Sequence, residues 1–208
     1  EPIWHHMRTG GKRVRPALCL ITCEALGGNH HEAINFALAI EAMHNMFLIH
    51  DDIEDGDTVR RDQPTVWVKY GTANAINAGD YLLACAYKTT LASPISLEKK
   101  IKLLQVLTST YEKTVEGQAL DINARAAEDF SVAKYMEMVE LKTGYYLACG
   151  MVGGAIVSGA SEKVLEKIWM LGKTMGPAFQ IRDDLIDLTH GKGRGGVIGS
   201  DVKEGKAS

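Results

Sequence analysis

The chain has 208 residues, of which 46% are hydrophobic and 24% charged, with a net charge of −3 at neutral pH. That length permits one large domain or two small ones. The composition excludes disorder, and the slight acidity argues against a nucleic-acid partner. The charge is unevenly spread, with cations at Lys12, Arg13, Arg15, Arg60 and Arg61 and carboxylates at 51–57 and 183–187. Segregation of that kind suits a substrate that combines metal and phosphate.

In chain order the signals are helical, and no run of alternating β-branched residues is bounded by turns. "GGKRVRP" (10–16) sets Lys12 and Arg15 one turn apart at a helix start, where backbone N–H groups also attract anions. Pro16 fits a first turn, and the helix runs to Gly27-Gly28. A long helix is predicted over 31–55, with apolar positions Ile34, Leu38, Met43, Phe47 and Leu48, and another over 73–92, stopped by Ser93-Pro94. Ser96, Ser131 and Ser161 read as N-caps of later helices. The uncharged run "YYLACGMVGGAIVSGA" (145–160) is short for a membrane span, and its small residues permit close helix contacts. Four cysteines, Cys19, Cys23, Cys85 and Cys149, lack CxxC spacing and read as buried free thiols of a reducing compartment. With no signal peptide and no membrane span, a soluble, cytoplasmic protein is expected. No linker divides the chain, so the expectation is a single all-α domain over 1–208.

The long helix drives "NMFLI" straight into "HDDIEDGDTVRRD" (50–62), where Asp51 and Asp55 share one face beside Asp52. Like charges at that spacing are destabilising. A second DDxxD, Asp183, Asp184 and Asp187 in "FQIRDDLID", again follows an apolar helical run. Each copy is expected to end a buried helix, and buried carboxylates require a counter-charge. An all-oxygen ligand set selects a hard cation. Magnesium takes one or two carboxylates and shares its other positions with water and phosphate. Two facing clusters therefore describe a diphosphate held by bridging magnesium ions above an apolar pocket. A calcium-binding EF-hand fails, because its third ligand position would be Ile53 and its twelfth, Asp62, is not glutamate. A Rossmann reading of "GKGRGG" fails for want of a preceding strand.

Taken together, "GGKRVRP", "LIHDDIEDGDTVRR", "LKTG" (141–144) and "FQIRDDLID" resemble the trans-isoprenyl diphosphate synthases, the polyprenyl synthetase family, with the likeness nearest to short-chain geranylgeranyl and farnesyl diphosphate synthases. The resemblance implies a bundle of long, mostly antiparallel helices around a central apolar cavity. It implies that Asp51, Asp55 and Asp183 ligate Mg2+, with Asp52, Asp184 and Asp187 completing the clusters. Lys12, Arg15, His44 and Arg61 would hold isopentenyl diphosphate, and Arg60, Lys142 and Lys206 the allylic diphosphate (dimethylallyl, geranyl or farnesyl). Thr143 and Gln180 would turn oxygens toward the developing carbocation. It also implies a homodimer, and it marks an N-terminal helix and C-terminal helices as missing from this sequence. One departure stands out: Gly196 takes the place of a lysine in the loop after the second motif, with Lys192 and Arg194 as candidates to replace it.

The implied chemistry is ionisation, condensation and elimination, which requires no protein nucleophile, and the sequence offers no nucleophile–base arrangement. A terpene cyclase would lack "GGKRVRP", and a non-catalytic partner subunit commonly loses one aspartate motif. Phe47 lies one turn below Asp51, about 6 Å along the helix, and Met43 about 12 Å below. Phe47 is therefore the expected floor of the tail pocket. Met46, narrower and more pliable than an aromatic ring, favours a C20 product, geranylgeranyl diphosphate, over C15.

Overall fold

The structure, a computed structural model, describes residues 1–125, 127, 129–189 and 198–199. Nine α-helices are present among them: α1 Pro2–Arg8, α2 Val14–Ala25, α3 His30–Glu54, α4 Val66–Tyr70, α5 Thr72–Leu91, α6 Leu97–Ala124, α7 Val132–Val139, α8 Tyr145–Ser158 and α9 Glu162–Thr189. The all-α expectation and the two early helices hold to within a residue or two. Ser96 and Ser131 cap α6 and α7 by accepting from Lys99 N and Lys134 N, and α9 begins directly after Ser161.

α3 starts with the Asn29 side chain accepting from His31 N, which satisfies one orphan donor of the first turn. Ala33, Phe36, Ala37, Ile40, Met43 and Met46 follow at helical spacing and are buried. α3 packs between α5, α2 and α8. Ile34 and Leu38 instead face outward, at 38% and 56% exposed. α8 is buried on every side from Tyr146 to Val157, as an apolar helix without a polar face must be. Its glycines let backbones meet: a β-carbon on Gly154 would fall 2.1 Å from the Cys19 carbonyl oxygen of α2. The small-residue run thus serves a contact inside the fold.

Several features depart from the expectations. A seven-residue helix, α1, stands before the glycine pair. A minimal hairpin, β1 Val59–Arg60 with β2 Gln63–Pro64, turns through Arg61 and Asp62, both with positive φ. Residues Glu140–Gly144 form a π-helical turn between α7 and α8. α9 is not buried as expected: Met170, Leu171, Met175, Leu185 and Leu188 are 41–67% exposed. Cys19, Cys23 and Cys149 are buried free thiols and Cys85 is half-buried. No helix among the described residues is long and apolar enough to cross a membrane.

Candidate active site

A cavity of about 810 Å³ opens among α2, α3, α6, α7, the π-turn, α8 and α9. One end is charged. Asp51 of α3 and Asp55, the residue that caps its C-terminus, line it together with Asp183 and Asp184 of α9, so the two motifs share one chamber. Asp52 and Asp187 do not line it and are 0% and 1% exposed. The expected six-carboxylate set is therefore split into four that face the cavity and two that lie behind it.

The first wall is laced with donors. Arg60, carried by the hairpin, donates from Nε to Asp52 Oδ1 at 2.5 Å. Its Nη2 lies 3.4 Å from Asp51 and 3.5 Å from Asp57. Gln118 of α6 bridges Asp51 Oδ1 (3.0 Å) and Glu54 Oε2 (2.7 Å), and Arg125 pairs with Asp55. Burial pushes the Asp52 carboxyl up to about 7, against the pull of Arg60. Lys142 sits on the π-turn, 2.6 Å from Asp121 Oδ2 and 3.7 Å from Asp51 Oδ1. Burial works against its charge, but Asp51 and Asp121 outweigh burial and raise its pKa. The π-turn, a frequent device at functional sites, faces Lys142 and Thr143 into the chamber together.

Across the chamber, Thr143 Oγ1 donates to Gln180 Oε1 (3.1 Å), and Gln180 Nε2 donates to Asp184 Oδ1 (2.9 Å). Tyr135 of α7 donates its hydroxyl to Asp184 Oδ2 at 2.7 Å. Gln180 thus has its amide nitrogen turned to Asp184, and its oxygen is shared with the Thr143 hydroxyl.

Lys12, Arg15, His44 and Arg61 also line the cavity. Arg15 lies over the Tyr146 ring, 4.7 Å from its centroid, a favourable placement for a desolvated guanidinium. Burial drives the His44 imidazole well below its usual pKa, with Arg15 and Arg61 adding to the shift. A neutral His44 can donate one hydrogen bond to an anion.

Phe47 lines the cavity one turn below Asp51 and stacks on Tyr111 (5.5 Å between centroids, 26°), with Tyr146 set edgewise at 5.7 Å. Met46 lines the cavity as well. Met43 does not: it is fully buried in the core, so the face expected to carry the tail deeper turns away from the chamber there.

Sequence reading missed Gln118, Asp121, Arg125, Tyr135, Tyr111 and Tyr146. The acid Asp121 and amide Gln118 lie within "GQALD", one turn apart on α6, and that polar pair was the available signal. Tyr135 carries no local signal. Lys206, Gly196, Lys192 and Arg194 lie outside the described residues.

The cavity-facing carboxylates supply only oxygen donors, which fits a hard cation. No group of three His, Cys, Asp or Glu side chains among the described residues could hold an ion by itself.

A sequence profile of the polyprenyl synthetase family matches residues 1–208. The chain is 40% identical over 198 residues to the geranylgeranyl diphosphate synthase of Methanosarcina mazei, covering 95% of this chain and 61% of that protein. It is 39% identical to the geranylfarnesyl diphosphate synthase of Aeropyrum pernix, covering 97% of this chain and 65% of that protein. The crystal structure of geranylgeranyl pyrophosphate synthetase from Pyrococcus horikoshii superposes with a TM-score of 0.93 at 38% identity, over all of this chain and 64% of that one. The fold is the all-α isoprenoid synthase fold. The chain belongs to the polyprenyl synthetase family, and it spans about three fifths of the length of these relatives.

Proposed function

We propose that the chain carries the active site of a trans-prenyltransferase that condenses isopentenyl diphosphate with an allylic diphosphate, yielding mainly geranylgeranyl diphosphate. One observation carries this reading: two aspartate pairs on separate helices, a row of cations and an aromatic end wall all line one cavity. The names of the relatives at 35–40% identity support the C20 product, while the geranylfarnesyl relative marks product length as the finer question.

Asp51, Asp55, Asp183 and Asp184 would hold Mg2+ against the allylic diphosphate. When bound, the metal supplies Lewis-acid withdrawal of charge from the breaking C–O bond. Lys142 and Arg60 stand at the same wall as fixed positive charges, in a setting that needs no reorganisation as charge develops. The Thr143 hydroxyl keeps oxygen lone pairs available to the allylic carbon. Lys12, Arg15, neutral His44 and Arg61 bind the second diphosphate. Phe47, braced by Tyr111 and Tyr146, stops the tail. Family membership also supports a homodimer, which light scattering would test.

The deciding experiment incubates the protein with isopentenyl diphosphate and dimethylallyl, geranyl or farnesyl diphosphate plus magnesium, followed by chromatography. Condensation to C20 is expected, with loss on chelation and recovery on adding magnesium. A protein that binds these diphosphates but joins none of them would overturn the reading.

A further inference from the structure

We propose that Glu41, held in place by Asn45 and His6, is a positioning residue that fixes the basic loop before α2 in its diphosphate-binding conformation by capturing Arg13. The proposal rests on the reading of Lys12 and Arg15 as ligands of isopentenyl diphosphate.

The starting observation is backbone geometry. Arg13 is the N-cap of α2, yet it lies in the left-handed region at φ 52°, ψ 32°, and no side chain caps the helix. A residue with a β-carbon adopts that region only at a cost, and its surroundings must impose it. The imposed contact is visible: Arg13 Nη1 donates to Glu41 Oε1. Glu41 stands on α3, upstream of Asp51, and is only 7% exposed. A carboxylate so placed needs partners. Its Oε1 also accepts from Asn45 Nδ2 at 2.9 Å, and Asn45, at 0% exposure, binds the Glu41 carbonyl at 2.7 Å with the same nitrogen.

The network continues into α1. Asn45 Oδ1 can only accept, so His6 Nε2, 3.1 Å away, is the protonated nitrogen of a neutral ring. The His6 carbonyl then accepts from the Thr9 hydroxyl at 2.8 Å. Thr9 Oγ1 in turn accepts from Arg61 Nη1 at 3.3 Å, and Arg61 also donates to the Gly10 carbonyl. The segment from Thr9 to Arg13 is therefore tied to α1 at one end and to α3 at the other. Lys12 lies between the ties and Arg15 in the first turn beyond them. A buried, connected polar network of this kind rigidifies what it touches.

Glu41→Gln preserves an acceptor for Asn45 while removing the charge that captures Arg13. It should raise KM for isopentenyl diphosphate about tenfold and leave KM for the allylic diphosphate within about twofold, as loss of one charged hydrogen bond at one subsite predicts. Arg13→Gln should do the same, and the double variant should be no worse than the more affected single one, because the two side chains act as a unit. Glu41→Asp should recover part of the affinity. Equal rises for both substrates, full additivity, or a lower melting temperature with unchanged KM would each overturn the proposal. If Glu41→Gln fails to fold, Arg13→Gln decides alone, since its side chain is 38% exposed. Calorimetric titration with isopentenyl diphosphate, without magnesium, separates the two levels of failure. A wild type that binds but never condenses refutes the function, whereas variants that bind as tightly as wild type refute the role of Glu41.

Discussion

α3 and α9 carry the same DDxxD signature after apolar runs of similar appearance, yet the fold treats them differently. α3 has eleven of its 25 residues buried, down to Asp52 at its acidic end. α9 has four of 28 buried, two of them the glycines that touch the neighbouring backbones of α8 and the π-turn. Its apolar residues Leu171, Met175, Leu185 and Leu188 face away from the described structure. One helix organises the core and ends in the site, while the other lies along the core and offers the site one edge. The shared motif brings carboxylates of both helices to one cavity; it does not specify shared packing behind them.

Core truncation draws this contrast most sharply. Phe36 of α3 is 0% exposed and presses on α8, where a β-carbon at Gly153 would fall 2.0 Å from its ring. Phe36→Ala should cost about 3–5 kcal/mol of unfolding free energy, as large cavities do. Leu185→Ala on α9, at 57% exposed, should change stability by less than about 0.5 kcal/mol. Denaturant titration checks both, and similar losses at the two positions would erase the distinction.

At the carboxylates the two helices should instead behave alike. Asp51→Ala and Asp183→Ala should each lower kcat for condensation by on the order of 10²-fold or more, the scale of losing one electrostatic stabiliser. Secondary structure should change little in either, since removing one of several crowded carboxylates relieves repulsion. Steady-state assays at saturating magnesium decide the matter. A variant that keeps most of its activity would show that its helix contributes no metal ligand.

The difference between the helices also marks what was legible in the residues. Helix positions, the two motifs and the cations around Lys12 and Arg60 could be read because each signal is local, either a period, a cap or a charge at fixed spacing. Burial of α9 could not, because an apolar face states a need for cover and not where cover lies. The π-turn under Lys142 has no composition cue, and the partners Tyr135, Gln118 and Arg125 reach the aspartates from other helices. The positive φ of Arg13 was hidden for the same reason: Glu41, its partner, is distant in sequence.

Within α3 itself, the contrast between wall and floor is open to test. Phe47 is enclosed by Tyr111 and Tyr146, while Met43, one turn further down, is sealed in the core. Phe47→Ala should lengthen the main product by about one isoprene unit, because a Phe→Ala change opens a cavity comparable with a short branched alkyl group. Because Met43 closes the space beneath, a longer series of products is not expected. Chromatography of products from the two proteins reads the outcome, and an unchanged product would show that the ring is no floor.

The smallest effect concerns acid stability and the N-terminal support of α3. His6, against Asn45, has its pKa lowered to about 3, chiefly by burial and then by Arg60 and Arg61. A depressed histidine pKa means that the unfolded chain takes up a proton, near pH 6.5, that the native state refuses. Its contribution is fully present above about pH 6.5 and is lost progressively as the pH falls toward 3. Between pH 7 and pH 5 this one group should remove about 2 kcal/mol of stability. His44 is also pushed down and adds to the same acid limb, so His6→Gln should flatten that limb without abolishing it. Glutamine can still donate to Asn45 Oδ1, which separates the titration from the loss of the bond. Unfolding free energies at pH 5 and pH 7 for the two proteins measure the difference. Equal slopes would place His6 in water in the folded protein, and would loosen α1 from the helix that carries the first aspartate wall.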